Sequence, residues 1–133
     1  PRATFCQPQV GSIGYTEASA REAGYTVKTG RFPMTALGRA VAAGHTEGFV
    51  KVVADEATGQ VLGIHMIGYD VNDLLGEATM VALLEATTIE LGFAVHAHPT
   101  LAEAIKEAAL AVDGEAIHIA RKRTARPEGA TAS

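Results

Sequence analysis

The chain has 133 residues, of which 47% are apolar and 20% charged, and a net charge of −4. That length suits one domain with a real core better than two, and the composition is ordinary for a globular protein. No stretch approaches the ~20 apolar residues of a membrane span, Pro1-Arg2-Ala3 does not read as the start of a signal peptide, and one cysteine, Cys6, excludes an internal disulfide, a CxxC redox pair and a Cys-rich zinc site.

Residues 3–10, "ATFCQPQV", read as a short strand with Pro8 near its end or at an edge. A lone Cys in a strand is usually a small buried hydrophobe, and the simple setting for it is a reduced, cytoplasmic one. A short helix follows, with Thr16 as N-cap, Glu17 in the first turn and Gly24 as its stop. Residues 26–34 read as a second strand. Residues 35–48, rich in small residues and Gly, read as a loop with at most one helical turn. "FVKVVA" and "VLGIHMI", separated by "DEATGQ", form the clearest signal: a β-hairpin too apolar for one fully wet face.

The chain then turns helical. Residues 70–86 offer Asp70, Asn72 and Asp73 as caps, with Leu74, Leu75, Ala78, Val81 and Ala82 near one face. "TTIE" at 87–90 is a capping box for a shorter helix ending near Phe93. "AEAIKEAALAV" is a third helix with Leu101, Ile105, Ala108 and Val112 on one face. The pattern is β-α-β-β-β-α-α-α, an α+β domain with a largely antiparallel sheet and helices packed against it. It is expected to occupy 1–120, with 121–133 a disordered tail. Residues 1–120 carry −7 and residues 121–133 carry +3. An acidic body argues against nucleic acid as a partner, and the short basic "RKRTAR" reads as a solvated terminus. No membrane partner is expected either, since no stretch is long and apolar enough to span one.

No GxGxxG opens a βαβ unit, and neither a GxxxxGK[ST] phosphate loop nor a GxSxG elbow occurs. The candidate chemistry therefore sits in "HAHPTLAE", residues 96–103. Three readings compete. Thr100 and Glu103 form a capping box, the hydroxyl accepting from the Glu103 N–H and the carboxylate reaching back to the Thr100 N–H. Alternatively, H-x-H puts two imidazoles on one face of an extended segment, but a metal site would need Glu103, His45, His65 or His118 to converge, and none is expected. Or Glu103 accepts from one nitrogen of His98, fixes its tautomer and leaves the other free to take a proton. That dyad lacks a nucleophile of its own, so its partner group would come from another domain, another subunit or the substrate. One carboxylate is not expected to serve His98 and the cap fully at once, and the residues alone leave that choice open.

Three stretches carry a family resemblance: "ATFCQPQVGSIGYTEASAREAGYTVKTGRFP", "GFVKVVADEATGQVLGIHMIG" and "HAHPTLAEAIKEAAL". Together they resemble the C-terminal dimerisation (interface) domain of the pyridine nucleotide-disulfide oxidoreductases, nearest to the dihydrolipoamide dehydrogenases. The likeness runs from about Pro1 to Leu110. It implies that His98 is a catalytic acid/base and Glu103 the carboxylate that orients it, which favours the dyad over the cap for Glu103, since an exposed cap is worth only ~1 kcal/mol. It implies a homodimer, in which the pair reaches the partner subunit's flavin and redox-active cysteines. His98 and Pro99 would lie near that FAD, joined by a peptide commonly cis in the family. No catalytic role is assigned to His96. The full-length enzyme would use FAD and NAD, carried by upstream domains with a CxxxxC pair that this chain lacks, and would oxidise dihydrolipoyl groups on the lipoyl domain of a 2-oxoacid dehydrogenase complex. The chain alone is then expected to be an inactive fragment that binds no cofactor, which fits a start at Pro1. Another disulfide reductase, or a non-catalytic dimerising domain, remains as the alternative. Dimerisation has its own motive: Leu74, Leu75, Val81, Leu83 and Leu84 cannot all face one small core.

Overall fold

The computed structural model describes residues 1–120; the segment 121–133, expected to be a disordered tail, lies outside the described residues. The strands are β1 (Arg2–Thr4), β2 (Gln9–Gly14), β3 (Val27–Pro33), β4 (Phe49–Asp55) and β5 (Val61–Gly68), and they form one sheet in the order β1-β2-β5-β4-β3. Every pairing is antiparallel. The hairpin expected at "FVKVVA" and "VLGIHMI" is β4–β5, with Val50 opposite Met66 and Val52 opposite Ile64. β-branched residues fit this doubly covered position because their side chains pack closely on a pleated surface. Side chains alternate along a strand, so Val50 and Val52 face one apolar layer while Val53 faces the other, where it meets Ala20, Val27 and Leu62.

The N-terminal strand expected at 3–10 is in fact two. β1 and β2 are joined by a turn at 5–8 that holds the cis Gln7–Pro8 peptide, and Arg2 pairs with Ser12. The Cys6 thiol is exposed in this turn and donates to the Pro8 carbonyl at 3.0 Å, rather than being buried in a strand. The loop expected at 35–48 contains a single 3-10 turn and the helix α2 (Gly38–Ala43). α2 has no side-chain N-cap, which is why the sequence carried no start signal for it.

α1 (Glu17–Glu22) begins as expected at Thr16, although Ser19 rather than an acid completes its capping box. α3 (Leu75–Leu83) is shorter than the expected 70–86, because residues 71–74 form a 3-10 turn. Asn72, expected as a cap, is buried instead and donates from Nδ2 to the Thr4 carbonyl at 3.2 Å. α4 (Thr88–Phe93) starts at the Thr87–Glu90 capping box. α5 (Glu103–Val112) ends the described core.

Helices α3 and α5 cover the larger apolar layer. Ile105 and Ala108 of α5 are fully buried against Phe32, Val50 and Val52. α5 lies so close to β3 that a Cβ at Gly30 would stand 2.1 Å from the Ala108 carbonyl oxygen, so only glycine fits there. Of the apolar residues expected to overfill the core, Leu74, Leu75 and Val81 are buried, whereas Leu83 and Leu84 are 72% and 68% exposed. Met80 lies one turn from Leu83 and Leu84, and Ile89 and Phe93 share a face of α4; all three are exposed too. The expected apolar remainder is therefore real, and it lies on α3 and α4. No helix among the described residues is long and apolar enough to cross a membrane.

Candidate active site

The connection from α4 to α5, residues 94–102, carries "HAHPT" and contains no regular element. Its geometry rests on side chains. His98 is joined to Pro99 by a cis peptide. Its Nδ1 lies 2.9 Å from Glu103 Oε1 and 3.2 Å from Oε2. The imidazole is 69% exposed, whereas the carboxylate that holds it is only 16% exposed. Among the described residues, no hydrogen bond engages Nε2. The first residue of α2 borders the ring: a methyl group at Gly38 would sit 3.8 Å from His98 Cε1.

Glu103 was expected to choose between His98 and the cap, and it does not. The Thr100 N–H donates to Oε2 at 2.9 Å while Oε1 faces His98. Two carboxylate oxygens have enough lone pairs for both tasks. The half of the capping box that is missing is the hydroxyl half: Thr100 Oγ1 donates to the Ala97 carbonyl at 2.8 Å, and α5 has no side-chain N-cap. Burial alone pushes the Glu103 carboxyl up. The Thr100 N–H, then the hydrogen bond and charge of His98 and the charge of His118, outweigh it and hold the group below the usual carboxylate range. Glu103 therefore stays ionised and can stabilise an imidazolium beside it.

The spacing of His96 and His98 was expected to put both rings on one face. The structure turns them apart: the His96 side chain is only 10% exposed, with Nε2 2.7 Å from Glu77 Oε1 on α3 and Nδ1 2.9 Å from the Ala94 carbonyl oxygen. A third pair joins α5 to the segment that follows it. Glu107, almost wholly buried, accepts from the Ile117 and His118 N–H groups at 2.9 and 3.2 Å and meets His118 Nδ1 at 2.8 Å. Sequence reasoning missed both pairs, and nothing local signals them, since Glu77 lies 19 residues from His96 and His118 lies 11 from Glu107.

The remaining histidines are engaged elsewhere. His65 Nε2 lies 2.8 Å from the Tyr15 carbonyl oxygen, and His45 stacks on Tyr69 with ring centroids 4.1 Å apart. Among the described residues no group of three or more His, Cys, Asp or Glu side chains converges on a metal position. Cys6 sits at the β1–β2 edge of the sheet, whereas α5 packs over β3 and β4 at the other edge. The arrangement can thus hold an oriented, accessible base, and Cys6, the chain's one thiol, is not beside it.

The dimerisation domain of the pyridine nucleotide-disulphide oxidoreductases matches residues 1–109. The dihydrolipoyl dehydrogenase of Bacillus subtilis is 49% identical over 118 residues, which is 89% of this chain and 25% of that protein. Its counterpart in Zymomonas mobilis is 46% identical over 118 residues, with the same shares. That of Mycobacterium leprae is 51% identical over 107 residues, 80% of this chain and 23% of the relative. Among solved structures, the HOCl-induced flavoprotein disulfide reductase RclA from Escherichia coli superposes with a TM-score of 0.77 at 25% identity, covering 81% of this chain and 25% of that one. LpdA from Mycobacterium tuberculosis superposes with a TM-score of 0.75 at 23% identity, covering 81% of this chain and 24% of that one, a likeness of fold. The chain spans about a quarter of the length of the relatives it matches.

Proposed function

The chain belongs to the dimerisation-domain family of the pyridine nucleotide-disulphide oxidoreductases, and from that premise we propose that it serves a dihydrolipoyl dehydrogenase by lending His98 to a site shared across a homodimer. The observation that carries the reading is an exposed imidazole, held through Nδ1 by a mostly buried carboxylate 2.9 Å away, in a domain whose one cysteine, Cys6, lies at the opposite edge of the sheet. Such a group has its orientation fixed and its Nε2 available, and a second subunit can present what it acts on. The exposed apolar side chains of α3 and α4, Leu83, Leu84 and Phe93 among them, supply the surface on which the two copies would meet.

In this reading His98 Nε2 takes the proton of a dihydrolipoyl thiol as that thiol becomes a thiolate, and returns it in the reverse direction. Glu103 stabilises the imidazolium in the interval and does not itself take the proton. FAD, when bound by the fuller enzyme, supplies the electron relay between the dithiol and NAD⁺. His98 and Pro99 are both exposed at the domain edge, which fits a backbone approach to the partner's flavin. The sequence identity to dihydrolipoyl dehydrogenases favours this substrate class over that of other disulfide reductases. A lipoyl domain would then be the protein partner, and the lone exposed Cys6 fits a reducing cytoplasm.

The test is His98→Gln in the full-length enzyme. Dihydrolipoamide oxidation should fall by roughly 10²–10⁴-fold, the range for loss of a general base. Reduction of the flavin by NADH, which needs no such base in this scheme, should persist. Retention of full thiol-oxidising turnover would refute the role.

A further inference from the structure

What holds the His98-bearing connection in place is a second pair, His96 and Glu77. Residues 94–102 run between α4 and α5 outside any helix or strand, and His98 itself offers one hydrogen-bonded nitrogen and a mostly solvent-exposed ring. Val95 on one side of His96 is 96% exposed, and Ala97 on the other is exposed as well. His96 is the inward anchor between them. Its ring bridges the Ala94 carbonyl and the Glu77 carboxylate, at 2.9 and 2.7 Å. Glu77 lies in the first turn of α3, a helix packed on β2 and β5, so the bridge ties the connection to the central sheet layer. Glu103, at the other end, ties His98 to α5, which packs on β3 and β4. The backbone that carries His98 is therefore fixed from two helices, by one imidazole–carboxylate pair on each side.

We propose that His96 and Glu77 are positioning residues that set the reach of His98 Nε2 toward the dithiol. The proposal rests on the acid/base reading of His98. Neither residue touches the reacting atoms; they act by keeping residues 96–98 against α3. A base displaced by about 1 Å can lose on the order of 10²-fold in rate without any change in its chemistry. The pair is not a simple fold staple, because α3 and α5 are already packed through buried apolar side chains such as Ala78, Val81 and Ile105.

The experiment uses the full-length enzyme, in wild-type and His98→Gln backgrounds. His96→Ala should lower kcat for dihydrolipoamide oxidation by roughly 10–100-fold, with KM changed less than about threefold. It should leave NADH reduction of the flavin, and the dimer, intact. In the His98→Gln background the same substitution should cost less than about twofold, since a residue acting through His98 has nothing left to position. Glu77→Gln keeps an acceptor at the same place and should retain turnover within about threefold, whereas Glu77→Ala should behave as His96→Ala. Equal losses in both backgrounds, loss of NADH reduction, or no loss from His96→Ala would each overturn the proposal. A His98→Gln enzyme with full turnover would instead overturn the reading beneath it, so the two failures are distinguishable. Should His96→Ala fail to fold, the Glu77→Gln and Glu77→Ala pair carries the same comparison.

Discussion

Glu103→Gln removes the charge of the carboxylate and keeps its shape, and Glu103→Ala removes both. In the structure Oε1 holds His98 Nδ1 at 2.9 Å and Oε2 accepts the Thr100 N–H at 2.9 Å. A glutamine retains one carbonyl oxygen, which at the Oε2 position still accepts from the Thr100 N–H at 2.9 Å and lies 3.2 Å from His98 Nδ1. What goes is the charge beside the imidazolium. A hydrogen bond to a charged group is worth ~1.5–3 kcal/mol, and a neutral one ~0.5–1.5 kcal/mol. The difference, about 1–1.5 kcal/mol, corresponds to roughly tenfold in rate. Glu103→Gln should therefore lower thiol-oxidising turnover about tenfold in the full-length enzyme, and lower its urea midpoint at neutral pH by no more than the contribution of the ionised carboxylate that wild type loses on acidification. Glu103→Ala leaves the part-buried Thr100 N–H unpaired and should cost about 1 kcal/mol of stability as well. Its turnover should fall toward that of His98→Gln. The assays are steady-state oxidation of dihydrolipoamide and urea denaturation followed by circular dichroism. Full turnover in Glu103→Gln, together with lost stability in Glu103→Ala, would show that the carboxylate is a cap and nothing more.

Two further outcomes follow from the same geometry. Gly30→Ala places a Cβ 2.1 Å from the Ala108 carbonyl oxygen and 2.5 Å from the Val112 nitrogen, so α5 must move; overpacking against backbone should cost at least ~2–3 kcal/mol, read as a lowered urea midpoint. The Glu103 carboxyl titrates below its ordinary 4.5 in the folded chain. Its stabilising contribution is complete above the unfolded value and is lost as pH falls through the lower folded one. Wild-type stability should thus drop on acidification below that ordinary value, and Glu103→Gln should flatten the drop in a pH series of urea melts.

The features that could be read in the sequence were those set by neighbours along the chain. The β4–β5 hairpin follows from two β-branched runs and a turn between them, and the Thr87–Glu90 box from two residues three apart. The His98–Glu103 pair spans five residues and was legible for the same reason. The β1–β2 turn was missed because Pro8 reads as a strand end, and because Gly11 and Gly14 weaken the strand signal that follows. α2 was missed because it lacks a cap. Asn72 looks like a helix start, and only the fold brings Thr4 and Gln9 to it, the latter accepting its backbone N–H at 3.1 Å. The divergence of His96 from His98 depends on α3 lying beside the connection, which no local pattern encodes. The sharing of Glu103 is a different kind of miss: it came from treating a carboxylate as a single acceptor.

Mixed dimers test the central claim most directly, which is that His98 serves a site completed by another subunit. One subunit would carry His98→Gln, and the other would lack the redox-active cysteine pair proposed to lie upstream of this chain. Each homodimer should be inactive toward dihydrolipoamide. The heterodimer should regain about one working site per dimer, because His98 of one subunit meets the intact cysteine pair of the other. A heterodimer as inactive as its parents would contradict the account.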